Sequence, residues 1–221
     1  MKLLLRPLAS VCLLTISSLA WSGPNPAAGS VLVLGDSLSA GYGLHADEGW
    51  VALLARRLIM EGYGRAVVNA SVSGETTTGG LSRVAHVLAT HHPAVVIVEL
   101  GANDALRGLP TQRLQDNLLA LVAAAHGSGA QVLLVGAPLP SNYGEEYAQQ
   151  VASAYRSAAR RGRVPLVASL LAGLAPDERS FQSDHLHPVA AAQGQMLENV
   201  WSTLRTLLGK PDQPTGVPDG R

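Results

Sequence analysis

The chain has 221 residues, 47% of them hydrophobic, and a formal net charge of zero. That is enough apolar material for one globular domain with a real core, and it excludes an intrinsically disordered or coiled-coil protein. Neutrality argues against nucleic acid as the main partner, and an aromatic content of 4% leaves the core to Leu, Val and Ala.

The two ends read differently from the middle. Met1-Lys-Leu-Leu-Leu-Arg6 is a basic start, Leu8 to Ala20 is apolar, and Ala20-Trp21-Ser22 offers small residues where signal peptidase needs them. The apolar run is shorter than the roughly 20 residues of a membrane span. Residues 1–22 are therefore expected to be a signal peptide, removed on export to the periplasm or the medium, with no stable membrane insertion afterwards. Cys12 is the sole cysteine and lies inside this segment, with no lipobox before it. The mature chain then has no thiol and is held by packing alone, in a compartment that would permit disulfides. Residues 210–221 are rich in Pro and Gly, lack an apolar face and are expected to be a disordered tail. The domain is expected over 23–209, without internal repeat or linker.

Within it, short β-branched runs alternate with helical patterns. Val31–Leu34 predicts a strand. Helical spacing of Trp50, Leu53, Leu54, Arg57 and Leu58 predicts a helix over 47–61. A strand over 66–69 follows, then a helix over 78–91 that Pro93 helps to stop. Residues 94–100 are a buried strand, 111–127 a helix, 131–135 a strand, 145–161 a helix and 164–167 a short strand. A last helix over 188–208 has a favourable proline at its start. This order implies a parallel sheet of five strands with helices on both faces, in a flavodoxin-like three-layer α/β/α sandwich.

A polar cluster follows each strand. Ser37 comes after the first, Ser73–Thr77 after the second, Asn103 and Asp104 after the third, Leu139–Tyr143 after the fourth and Ser183–Pro188 after the fifth. All five should gather along the carboxyl edge of the sheet, where ligands bind in such folds. The chemistry they could carry is nucleophilic acyl transfer. A serine hydroxyl needs a base to take its proton, imidazole is the natural one, and a carboxylate must hold that imidazole in the right tautomer. Asp184 and His187 lie three residues apart on one loop, close enough to meet without help from distant structure. Donors for an oxyanion are available in the Ser37 N–H, the bare backbone of Gly74 and the Asn103 amide.

Gly35-Asp36-Ser37-Leu38-Ser39, Gly74, Gly101-Ala-Asn103-Asp104 and Asp184-x-x-His187-Pro188 resemble, in order, the four blocks of the GDSL/SGNH hydrolases. The likeness runs from about Val31 to Trp201. Within the family it resembles the periplasmic multifunctional esterases, through stretches such as Val98–Asp104 and Leu139–Gly144. The resemblance implies Ser37 as nucleophile, His187 as base, Asp184 as its orienting partner, and Ser37, Gly74 and Asn103 as the oxyanion hole. It implies arylesterase, thioesterase and lysophospholipase activities on small acyl-ester or lipid substrates. Asp184, His185 and His187 could suggest a metal site, but no HExxH pattern or other ligand cluster supports one; no cofactor and a monomeric chain are expected. The 105–111 loop, with Leu106 and Leu109, resembles the loop that closes on acyl chains in relatives, and Leu139 resembles a wall of that acyl site. Two positions depart from the pattern. Ala102 stands where a glycine is common, and His185 stands between Asp184 and His187 where relatives usually have glycine.

Other readings of these residues remain open. Asp36 and Asp104 are read as shaping loops, and His185 is a second candidate base. A carbohydrate or peptidoglycan O-deacetylase on the same fold is the main alternative function. The three leucines argue against it, as does the scarcity of tryptophan, one of three lying in the signal segment. A non-catalytic binding module would have lost a block residue, and none is lost.

Overall fold

The computed structural model describes residues 29–177 and 179–212. The proposed signal peptide lies outside the described residues, as does the tail beyond Asp212.

Five strands form one parallel sheet: β1 (Ser30–Gly35), β2 (Val67–Asn69), β3 (Pro93–Glu99), β4 (Gln131–Val135) and β5 (Leu166–Val167), in the order β2-β1-β3-β4-β5. Strands buried on both faces read as continuous apolar runs, which is why β1, β3 and β4 stand out in the sequence. Successive side chains alternate between two cores. Leu32, Leu34, Val96, Val98, Val132 and Leu134 point to one side, against α3 (Thr77–His91), α5 (Thr111–Gly127) and α6 (Glu145–Gly162). Val31, Val33, Val95, Ile97, Leu133 and Val135 point to the other, against α2 (Trp50–Met60) and α7 (Gln193–Leu208). This is the expected three-layer sandwich. Among the described residues no helix is long and apolar enough to cross a membrane.

The chain leaves β1 through α2 toward β2, then crosses back through α3 to β3 on the other side of β1. The winding therefore changes direction between β1 and β3, and a crevice opens at the carboxyl ends of those two strands. Each bounding strand ends in a short helix that periodicity could not announce: α1 (Ser37–Ala40) after β1 and α4 (Ala102–Leu106) after β3.

Several boundaries differ from expectation for local reasons. The helix predicted from 47 begins at Trp50. β5 starts at Leu166 rather than at 164, because Pro165 has no N–H to give the ladder, although its carbonyl accepts from Leu134 N–H at 3.1 Å. The helix predicted from Pro188 begins at Gln193, preceded by a 3₁₀ turn over Ala190–Ala192. Pro188 instead pairs with Phe181 in an isolated antiparallel bridge, and Val189 is extended. At the far end Asp212 is tied down: its N–H bonds to Gly62 O at 3.1 Å and its carboxylate accepts from Gly64 N–H at 2.8 Å. Both ends of the described chain, Gly29 before β1 and Asp212 beside the turn into β2, lie at the amino edge of the sheet, opposite the crevice.

Candidate active site

The turn that carries Ser37 is built from the end of β1. Asp36 caps α1, its carboxylate accepting from Leu38 N–H at 3.1 Å, and Gly41 closes the helix in the left-handed region. Gly35 must be bare: a Cβ there would lie 2.7 Å from Ser39 Oγ and 2.9 Å from Glu99 Oε2. These contacts hold Ser37 at the first position of α1, on the floor of the crevice.

His187 and Asp184 come from the loop between Phe181 and Pro188, which the bridge between those two residues closes. Asp184 Oδ1 accepts from the N–H groups of Leu186 and His187 at 2.9 and 3.0 Å. Its Oδ2 lies 2.6 Å from His187 Nδ1, and His187 Nε2 lies 2.9 Å from Ser37 Oγ. The arrangement fixes the tautomer: Nδ1–H donates to Asp184, and Nε2 accepts from the serine hydroxyl. Partial burial opposes ionisation of Asp184, but the His187 and Leu186 N–H groups and the His187 ring outweigh it and hold the carboxyl down to about 2. Tyr42 lies against the imidazole, ring centroids 4.5 Å apart and tilted by 37°.

Gly74 and Asn103 line the same cavity as Ser37. Among the described residues the backbone N–H groups of Ser37 and Gly74 are taken up by no other backbone group. The Asn103 amide donates one N–H to Asp36 Oδ2 at 3.0 Å, which leaves its second for a ligand. Asp36 is thus the residue that orients Asn103. Asp104 has a different duty. It is buried, and it accepts from Thr77 N–H at 2.8 Å and from Thr77 Oγ at 2.5 Å, tying the start of α3 to α4.

The cavity holds about 910 Å³. Leu106 and Leu139 line it as expected, together with Leu171, Leu174, Phe181 and Leu186. Leu109 does not line it; it sits outside the wall, its carbonyl accepting from Tyr147 OH at 3.3 Å. The tight turn after α4 carries Leu106 inward and Leu109 past the opening. Leu171, Leu174 and Phe181 follow β5 without period, so the sequence does not mark them as wall residues. Their signal was an apolar content unusual for a loop, and the single phenylalanine of the chain. Ala102 also lines the cavity, where its methyl joins the apolar wall. His185 lies at the cavity with a left-handed backbone (φ 57°), the conformation that glycine would adopt freely. No group of three or more metal-ligating side chains occurs among the described residues.

Residues 33–194 match the family model of the GDSL-like lipase/acylhydrolases. The chain is 47% identical over 182 residues to the esterase TesA of Pseudomonas aeruginosa, covering 82% of this chain and 90% of that protein. It is 38% identical over 167 residues to thioesterase 1/protease 1/lysophospholipase L1 of Escherichia coli K12, covering 76% and 79%. A crystal structure of TesA superposes with a TM-score of 0.79, over 80% of this chain and 99% of that one. The psychrotrophic esterase EstA of Pseudoalteromonas, inhibited by monoethylphosphonate, superposes with a TM-score of 0.77 at 36% identity, over 81% and 98%. With its matched region spanning the sheet, the crevice and the His187 loop, this chain belongs to the GDSL-like lipase/acylhydrolase family and is an ester hydrolase.

Proposed function

We propose that this enzyme cleaves acyl esters and thioesters through a covalent acyl-enzyme on Ser37. The observation that carries the reading is the continuous run from Ser37 Oγ to His187 Nε2 at 2.9 Å and from His187 Nδ1 to Asp184 at 2.6 Å. Ser37 Oγ attacks the acyl carbon while its proton passes to His187 Nε2. Asp184, ionised at any working pH, stabilises the imidazolium. The oxyanion accepts from the Ser37 and Gly74 N–H groups and the free N–H of Asn103. The imidazolium then protonates the leaving alkoxide or thiolate. Water, deprotonated by His187, releases the acid and frees Ser37.

The apolar wall supports a medium or aromatic acyl group more than an acetyl group on a sugar. The names of the relatives, arylesterase of Vibrio mimicus and lysophospholipase L1 among them, support aryl esters, thioesters and lysophospholipids as substrates. The basic and apolar start of the sequence supports export, with cleavage near Ser22, and action in the periplasm or medium.

Ser37→Ala is expected to lower hydrolysis of p-nitrophenyl esters by roughly 10⁴-fold or more and to abolish labelling by a fluorophosphonate. His187→Ala should be as damaging. A Ser37→Ala protein that still takes up the label would refute the assignment. Rates on esters of increasing acyl length, with a lysophospholipid and an acyl-CoA alongside, would fix the substrate class.

A further inference from the structure

Ser37 and His187 are 150 residues apart in sequence, and the hydrogen bond between them is the one the reaction breaks. Something else has to hold the two arms in register. One side chain bridges them directly. Gln182 Nε2 donates to the carbonyl of Tyr42 at 2.8 Å and to that of Pro188 at 3.2 Å. Tyr42 belongs to the nucleophile turn, its N–H bonding to Ser37 O at 3.1 Å, and Pro188 directly follows His187. The main chain of Gln182 grips the same loop, its N–H donating to His187 O at 2.8 Å and its carbonyl accepting from His185 N–H at 2.9 Å. Gln193 makes a deeper brace, from Trp50 N–H at 3.0 Å to Pro188 O at 3.4 Å, but reaches neither Tyr42 nor the Ser37 turn.

Two further observations point to the same strap. Gly43 has a φ of +75°, and a Cβ there would lie 2.2 Å from Gln182 Oε1. Residue 43 has to be bare for the carboxamide to lie across it. Tyr42 is 53% exposed, so burial does not explain why its ring stays against His187. Gln182 fixes the carbonyl of the residue from which that ring projects.

We infer that Gln182 is a positioning residue of this hydrolase: it straps the Tyr42 turn to the His187 loop over the bare backbone of Gly43, and so sets the imidazole against Ser37. The inference rests on the Ser37–His187–Asp184 reading. It predicts a particular split in the kinetics. The Gln182 carboxamide bonds to Tyr42 O and Pro188 O and not to Leu106 or Leu139, whose side chains line the cavity, so substrate binding should largely survive its loss. Proton transfer depends on placement to a fraction of an ångström, and misplacing it slows the chemical step.

Gln182→Ala is expected to lower kcat about tenfold with KM within about twofold. Fluorophosphonate should label it to full stoichiometry, but about tenfold more slowly. Gln182→Met, of similar length but without a donor, should behave the same way, since filled space is not what matters. Gly43→Ala should slow the wild type comparably and add little in the Gln182→Ala background, because the displaced group is already gone. A Gln182→Ala enzyme with wild-type kcat and labelling rate would overturn the inference. So would full recovery of its rate on assay well below a lowered melting temperature, or strict additivity with Gly43→Ala. If Ser37→Ala is dead while Gln182→Ala runs at full speed, the strap alone fails. If Ser37→Ala retains labelling, the nucleophile assignment fails, whatever Gln182 does.

Discussion

Beneath Ser37 lie two carboxyl groups with no place in the proton relay. Burial pushes the Asp36 carboxyl up to about 6 against the Leu38 N–H and the Asn103 amide that favour its ionised form. Burial, then the field of Asp36, pushes Glu99 well above the usual carboxylate range, against the hydrogen bond from Ser39 Oγ at 2.7 Å. Both groups therefore hold a proton more tightly folded than unfolded. The stability Asp36 contributes is fully present below its unfolded value of 3.8 and drains away as pH rises through about 6. Glu99 acts in the same direction. The melting temperature should be higher at pH 5 than at pH 7.5, and Asp36→Asn should shrink that difference; a difference untouched by the substitution would assign it to other groups. His185 offers a separate test. Its left-handed backbone costs roughly 1 kcal/mol that glycine would not incur, so His185→Gly should keep most activity and melt no lower. Loss of hydrolysis in that variant, with His187→Ala still active, would reverse the choice of base. Ser37, His187 and Asp184 were legible because each sits in a short block whose chemistry is local. Asp36 was legible as structural, but its grip on Asn103 was not: that contact joins two loops 67 residues apart.

The segment from Leu100 to Leu109 carries Asn103, the proposed oxyanion donor, and Leu106, which lines the cavity, and it is held from outside by one face of α6 and the turn before it. Tyr155 OH donates to Leu100 O at 2.9 Å, Tyr147 OH to Ala105 O at 3.2 Å, and Tyr143 OH to Leu106 O at 3.0 Å. Tyr147 and Tyr155 lie eight residues apart on one face of α6, and Tyr143 sits in the 3₁₀ turn before it, so three hydroxyls meet three carbonyls. Tyr155→Phe leaves the buried Leu100 carbonyl without this donor and should cost about 1–3 kcal/mol, read by denaturant titration. An unchanged midpoint would mean that water or another donor takes the place of the hydroxyl. The long helices were legible from sequence: α5 runs over the predicted 111–127, where Leu114, Leu118, Leu121, Val122 and Ala125 mark one buried face. The short α1 and α4 were not, since a helix of one turn has no period to read and exists only through tertiary contacts.

At the scale of the molecule, chain order did most of the work. Alternating strands and helices implied parallel winding, and winding placed every post-strand cluster on one edge. The sequence could not say that the apolar wall would come from the irregular stretch after β5, because a loop's path depends on what it packs against. The same winding sends both ends of the described chain, Gly29 and Asp212, to the amino edge of the sheet. A linker joined directly to Gly29 or to Asp212 therefore starts from the side opposite the cavity. Held at either of these two residues, the domain keeps the mouth of its cavity open to substrate.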